Sequence, residues 1–190
     1  LEFLKAVSEN DKYKQKIHSQ IKQYKFAPQS QSAEFHFTAG VEVPKEEIAR
    51  DGHCLFRAIA HGLIDRAEES GNFIEHLRTK SPNLAPLVEG GRKNSEKLVV
   101  ELRKIACDFN EMHHPYIAEK DSSRYFKAMR TTSNWGGAAE IAALSQVLGL
   151  EIAVKNHKEE TQNKPTNAAI VLVYSDHHFD LCKRVKKAFS

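Results

Sequence analysis

Cys54 stands in the segment Asp51-Gly52-His53-Cys54-Leu55-Phe56-Arg57-Ala58-Ile59, where a glycine-containing turn gives way to an amphipathic helix. Far downstream, His177-His178-Phe179-Asp180 supplies two imidazoles and a carboxylate. A thiol is a weak nucleophile at its ordinary pKa of about 8.5, and a helix N-terminus beside an imidazolium lowers that value. Cysteine, then histidine, then an acid is the set that a thiol hydrolase needs. The N–H groups of Gly52, His53 and Cys54, unpaired at a helix start, are candidates to bind an oxyanion and to favour a thiolate. Gly52 also lets the backbone approach a substrate carbonyl and adopt a positive φ. The bland alternative for Cys54 is a small buried hydrophobe, the usual fate of a free cysteine. Its place at a turn-to-helix junction favours the nucleophile.

Two histidines compete to be the base. Residues two apart on a strand share a face, so His178 and Asp180 point one way and His177, Phe179 and Leu181 the other. A carboxylate beside an imidazole accepts from one ring nitrogen and frees the other for the thiol. His178 is therefore the expected base and Asp180 the orienting acid, while His177, on the apolar face, reads as a packed or edge histidine. Cys182 shares the face of His178 and Asp180 but is assigned no role. Cys107 falls on the apolar side of its helix and reads as core. His113-His114 precedes Pro115 and lacks partners at ligand spacing, so it reads as a solvated turn and no metal site is expected. His18, His36, His61, His76 and His157 have no suggestive neighbours.

The elements that must position these groups follow from periodicity. From Cys54, the residues Leu55, Phe56, Ile59, Ala60 and Leu63 mark one buried helix face. Residues 79–94, with Pro82, Pro86, Gly90 and Gly91, read as an irregular, mobile insertion. Ser95 is an expected N-cap for a helix carrying Leu98, Val99, Leu102, Ile105, Ala106 and Phe109. A shorter helix is expected over 123–129, and an Ala-rich one over 137–148 with Gly149 as its stop. Residues 150–154, 170–174 and 178–183 read as strands, the second buried on both faces, with a polar loop over 155–168. Helices early and paired strands late make an α+β domain. Residues 1–25 carry apolar positions at loosely helical intervals, 28–32 are linker-like, and 35–43 suggest a short extended segment. The division expected is an N-terminal helical or accessory segment over 1–43 and a catalytic domain over 44–190.

At 190 residues the chain is long enough for one domain with a substantial core. Its composition, 41% hydrophobic and 28% charged, is that of an ordinary globular domain. A net charge of +3 with scattered basic residues gives no argument for nucleic acid. The three cysteines are far apart, which suggests neither a disulfide framework nor a zinc site, and fits a reducing compartment. No apolar run of about 18 residues suggests a membrane span. Because the chain starts at Leu1 and not at Met, it is read as excised from a longer protein.

Three segments together carry a resemblance. Asp51-Gly52-His53-Cys54-Leu55-Phe56 resembles the D-G-N-C-[LF]-[FY] motif of the ovarian tumour (OTU) family of deubiquitinases. Trp135-Gly136-Gly137, followed by Glu140-Ile141-Ala142-Ala143-Leu144-Ser145, resembles that family's W-G-x-x-x-E-[IL]-x-A-[LM]-[SA] segment. His178-Phe179-Asp180 matches its H-[YF]-[DN] motif. The three stand in the family's order over about residues 44–184. The resemblance implies a papain-like core, a small central β-sheet flanked by helices. It implies hydrolysis of isopeptide bonds at the C-terminus of ubiquitin without a cofactor, with ubiquitin and polyubiquitin as partners. A monomer in the cytosol is expected. If the source were a virus or an intracellular bacterium, the host cytosol would be the place. Carried over by position, Cys54 is the nucleophile, His178 the base, Asp180 the orienting acid, and Asp51 the acidic residue that shapes the oxyanion loop. His53 departs from the family's asparagine, at a position that contributes mainly its backbone N–H. Trp135 reads first as a support for the strand of His178 and second as a lining of the channel for the Gly-Gly tail. A non-catalytic ubiquitin-binding module and another papain-like thiol hydrolase are the rivals.

Overall fold

The computed structural model describes residues 45–113, 122–131, 134–156 and 168–183. The expectations for residues 1–43, and for most of the loop over 155–168, lie outside them. In chain order the elements are β1 (Lys45–Glu46), α1 (Cys54–Glu69), α2 (Gly71–Lys80) and α3 (Ala85–Glu89). A 3-10 turn (Gly91–Asn94) then leads into α4 (Ser95–His113). There follow α5 (Ser122–Thr131), α6 (Ala138–Leu148), β2 (Ile152–Asn156), β3 (Ile170–Ser175) and β4 (His178–Cys182). The α+β architecture is as expected.

The strands form one sheet in the order β1-β4-β3-β2. The β1–β4 and β3–β4 pairs are antiparallel, and β2–β3 is parallel. Alternation along β3 and β4 sorts their side chains. Ile170, Leu172, Phe179 and Leu181 join the main core with α1, whereas Val171, Val173 and Cys182 pack with Ala168 in a smaller cluster. β3 is buried over its first four residues, as a strand with neighbours on both sides should be.

α1 is the central helix, with Leu55, Phe56, Ile59, Leu63 and Ile64 at 0–1% exposure. It lies close against the sheet at Gly62, where a Cβ would come within 2.9 Å of Ile170 Cγ2 and 3.2 Å of Leu181 Cδ1. The helix that begins with Cys54 and the strand that begins with His178 are therefore direct neighbours. Arg92 joins the 3-10 turn to β1 and α1 by pairing with Glu46 and Asp65, and His61 Nδ1 lies 2.6 Å from Glu46 Oε1. His61 thus has a partner that its sequence neighbours did not reveal.

The expectation of an irregular insertion over 79–94 is corrected. Leu84, Ala85 and Val88 are buried in the main core, and Pro86 sits in the first turn of α3, where its missing N–H costs nothing. Ser95 is also not a cap, because α4 continues directly from the 3-10 turn with Ser95 already helical. Gly149 does stop α6, with φ of 62° at the left-handed position. Among the described residues no helix is long and apolar enough to cross a membrane.

Candidate active site

The base and acid stand on β4, placed there by a tight hairpin. Ser175 pairs with His178, so only Asp176 and His177 make the turn, with φ of 47° and 61°. Two consecutive positive φ values are what the favoured two-residue hairpin turn requires, and Asp and His tolerate them better than most residues. His177 is consequently an exposed turn residue and not, as expected, a residue on the apolar strand face. His178 and Asp180 are buried, at 2% and 3% exposure.

Asp180 is saturated with donors. Its Oδ1 lies 3.0 Å from His178 Nε2 and accepts the Ile48 N–H at 2.9 Å, while Oδ2 accepts Lys45 Nζ at 3.1 Å. Burial pushes the carboxyl up, but the Ile48 N–H, the Lys45 ammonium and the neighbouring imidazole together hold it below the usual carboxylate range. An ionised carboxylate can only accept, so Nε2 carries the proton. That leaves Nδ1 of His178 with its lone pair, buried and without a hydrogen-bond partner among the described residues. His178 and Asp180 share a strand face, as alternation requires, and meet there. Cys182, on the same face, packs against Ala168, Val171 and Val173 and takes no part.

Cys54 is the first residue of α1 and is 3% exposed. The first helical bond runs from Arg57 N–H to the His53 carbonyl at 2.9 Å, and no side chain caps the helix. The N–H groups of Cys54, Leu55 and Phe56 thus precede the hydrogen-bond ladder. Gly52 has φ of 80°, a conformation that excludes most side chains and lets the chain turn sharply into the helix. Asp51 shapes this turn, because its Oδ1 accepts the His53 N–H at 3.0 Å and its Oδ2 accepts Arg57 Nη1 at 2.6 Å. Burial raises the Asp51 carboxyl, and the Arg57 and His53 hydrogen bonds overcome this to lower it. Of the three N–H groups expected to serve the oxyanion, that of His53 is therefore already given to Asp51.

Two buried charged residues were given no role by the sequence reading. Arg103 of α4 is 3% exposed and donates to the carbonyls of Gly52 (3.1 Å), Met129 (3.1 Å) and Asn134 (2.8 Å). It also contacts His53 Nδ1 at 3.2 Å. Glu140 of α6, 2% exposed, accepts Tyr125 OH at 2.6 Å and the Gly137 N–H at 2.8 Å, which caps α6 and ties α5 to it. Burial pushes the Glu140 carboxyl up. A signal existed for Arg103, since it falls in the buried stripe Val99, Arg103, Ala106, Asn110 of α4. Cys107, also in α4, is buried as expected, and burial pushes its thiol up to about 12, which suits core packing and not attack.

Trp135 is 45% exposed, so its ring is no core anchor. The core contact in this segment belongs to Gly136, where a Cβ would come within 2.7 Å of Leu55 Cδ2 and 2.9 Å of Phe56 Cε2. The Trp-Gly-Gly segment thus abuts the first turn of α1, beside Cys54.

The profile of the OTU-like cysteine proteases matches residues 49–186. The chain is 29% identical over 149 residues to deubiquitinase OTUD6B of Xenopus laevis, covering 74% of this chain and 44% of that protein. It is 27% identical over 148 residues to OTU domain-containing protein 2 of Saccharomyces cerevisiae, covering 71% and 41%. The chain therefore spans less than half the length of these curated relatives. Among solved structures, the complex of h/ceOTUB1 with ubiquitin aldehyde and UBC13~Ub is similar in fold. Its TM-score is 0.60 at 14% identity, with 75% of this chain and 77% of that one covered.

Proposed function

This chain belongs to the OTU-like cysteine protease family, and from that premise we propose that it is a deubiquitinase in which Cys54, His178 and Asp180 act as nucleophile, base and orienting acid. The observation that carries the reading is the hydrogen bond from His178 Nε2 to Asp180, which leaves Nδ1 as a free lone pair. In the proposed reaction Nδ1 takes the thiol proton as the Cys54 sulfur bonds to the carbonyl carbon of ubiquitin's last glycine. Asp180 stabilises the imidazolium formed. N–H groups at the uncapped start of α1 hold the developing oxyanion. The C–N bond then breaks, the lysine amine leaves with the proton from His178, and a thioester remains. Water, deprotonated by His178, cleaves the thioester to restore the thiol and release ubiquitin's carboxylate. In this reading Trp135, half-exposed in the segment that abuts the first turn of α1, lines the approach of the Gly-Gly tail. The relatives named deubiquitinases support ubiquitin as the substrate, and a cytosolic setting suits a free thiol.

Ubiquitin carrying an electrophilic C-terminus tests the proposal directly. The wild-type chain is expected to form one covalent adduct, at Cys54, and to cleave di-ubiquitin. Cys54→Ala is expected to lose both while still binding ubiquitin. Cleavage that persists in Cys54→Ala, or an adduct elsewhere, would overturn the assignment.

A further inference from the structure

Arg103 lies 49 positions from Cys54 in sequence, yet its guanidinium is in contact with the turn that presents the thiol. Nη2 donates to the Gly52 carbonyl at 3.1 Å and to His53 Nδ1 at 3.2 Å. Nη1 donates to the Asn134 carbonyl at 2.8 Å, one residue before Trp135, and to the Met129 carbonyl and sulfur at 3.1 and 3.2 Å. The guanidinium carbon stands 4.4 Å from the ring centroid of Phe56, in the first turn of α1. Its acceptors among the described residues are carbonyls, a thioether and an imidazole, with no carboxylate. A buried cation without a paired anion is costly, so its presence at the thiol-bearing turn calls for a role there.

From these contacts we infer that Arg103 is a positioning residue for the nucleophile turn, locking the orientation of the Gly52–His53 peptide. This inference rests on the proposed hydrolase. The peptide is planar, so holding its carbonyl toward Arg103 forces its N–H to the opposite side, where Asp51 receives it. Gly52, at φ of 80°, has the freedom to let that peptide flip. A flip would turn an oxygen toward the N–H side of the turn, against the charge of an oxyanion. Arg103 opposes the flip with two donors, one on the carbonyl and one on the ring of the next residue. Because a guanidinium cannot accept, His53 Nδ1 must hold a lone pair, so His53 is neutral with its proton on Nε2. The same side chain fixes the Asn134 carbonyl, so the turn and the Trp-Gly-Gly segment are held in one relative placement.

The test measures kcat and KM on ubiquitin with a fluorogenic C-terminal amide, for wild type, Arg103→Lys and His53→Ala. Thermal melts and the rate of Cys54 alkylation by iodoacetamide are recorded for each. Lysine keeps the charge but cannot span both acceptors, so Arg103→Lys is expected to lose about a hundredfold in kcat, as misplacement of the reacting groups does. KM and the alkylation rate should stay within about twofold, since neither needs the oxyanion geometry. His53→Ala, in the part-exposed turn, removes one of the two contacts and should lose about tenfold in kcat. Full turnover in a folded Arg103→Lys protein would overturn the inference, because charge alone would then suffice. Should that variant fail to fold, unaltered kcat in His53→Ala would overturn it instead. A wild-type chain without turnover would sink the proposed hydrolase and this assignment with it, whereas active wild type with unaltered variants would sink only the assignment.

Discussion

The two sides of the candidate site are built by different means. On β4, base and acid are two residues apart, set by a two-residue turn and by a main-chain donor, Ile48 N–H. Around Cys54, the turn is fixed by side-chain contacts and close packing: Arg103 of α4 on the Gly52 carbonyl, Arg57 bridging Asp51 to Glu96 of α4, and the backbone of Gly136 against Leu55 and Phe56. Backbone pairing makes the first side stiff and puts base and acid two positions apart on one strand, with the sequence-distant Ile48 N–H as a main-chain anchor. The second is an assembly of long-range contacts, so its geometry is open to adjustment by substitutions far from the thiol.

The largest effect expected on the stiff side is that of Asp180→Ala. It strips the partner from His178 Nε2 and leaves the Ile48 N–H unpaired, costing about 1–3 kcal/mol of stability and about a hundredfold or more in kcat. Asp180→Asn separates charge from acceptor. Oδ1 takes both the Ile48 N–H and the imidazole, and Ile48 selects an oxygen there. The amide nitrogen then falls at Oδ2, where part-exposed Lys45 can swing away into solvent. Asn is therefore expected to keep kcat within about tenfold of wild type, the acceptor at Oδ1 being what sets the tautomer. Equal losses in the two variants would show that charge, and not the fixed acceptor, is what this side supplies.

Gly136→Ala probes the assembled side. The backbone of Gly136 is not left-handed, so the penalty is steric: the new methyl meets Leu55 and Phe56 at under 3 Å. Overpacking of this kind costs about 1–3 kcal/mol, read as a lowered Tm. Because the displaced residues follow Cys54 directly, kcat should also fall by about tenfold. A lowered Tm with unchanged kcat would mean that the first turn of α1 yields elsewhere, and the contrast between the two sides would weaken.

The same contrast explains what was legible in the sequence. Strand alternation is local, so the pairing of His178 with Asp180 could be read from two-residue spacing, and α1 from its apolar period. Gly149 announced its helix end for an equally local reason. Residues 79–94 misled because proline and glycine punctuate helices as well as loops: Pro86 opens α3, and Gly90-Gly91 joins it to the 3-10 turn. Arg103 looked like one more charged residue on a helix, and only the tertiary packing that buries it shows what it holds. Trp135 was singled out as the first residue of its motif, yet the contact that shapes the site belongs to the residue beside it with no side chain.

The smallest effect expected is a change in how stability varies with pH, and it too belongs to the assembled side. His53 faces Asp51 in its own turn, Arg57 on α1, and Arg103 and Glu96 on α4. Burial lowers its pKa first, the Arg103 and Arg57 charges lower it further, and Asp51 and Glu96 oppose them without prevailing. As pH falls through about 6.5, the unfolded chain binds a proton at this position before the folded chain does. Folding then loses stability at His53 until the lowered folded-state value is passed. Asparagine at this position cannot titrate, so His53→Asn should lose less Tm than wild type between pH 7.5 and 5.5. The difference should be well under about 1 kcal/mol, because the ring is part-exposed and screened by solvent. His61, also lowered by burial, is present in both proteins and cancels in the comparison. Parallel Tm curves for the two proteins would mean that protonating His53 costs the folded turn nothing, and the Gly52 carbonyl would then be the contact by which Arg103 holds it.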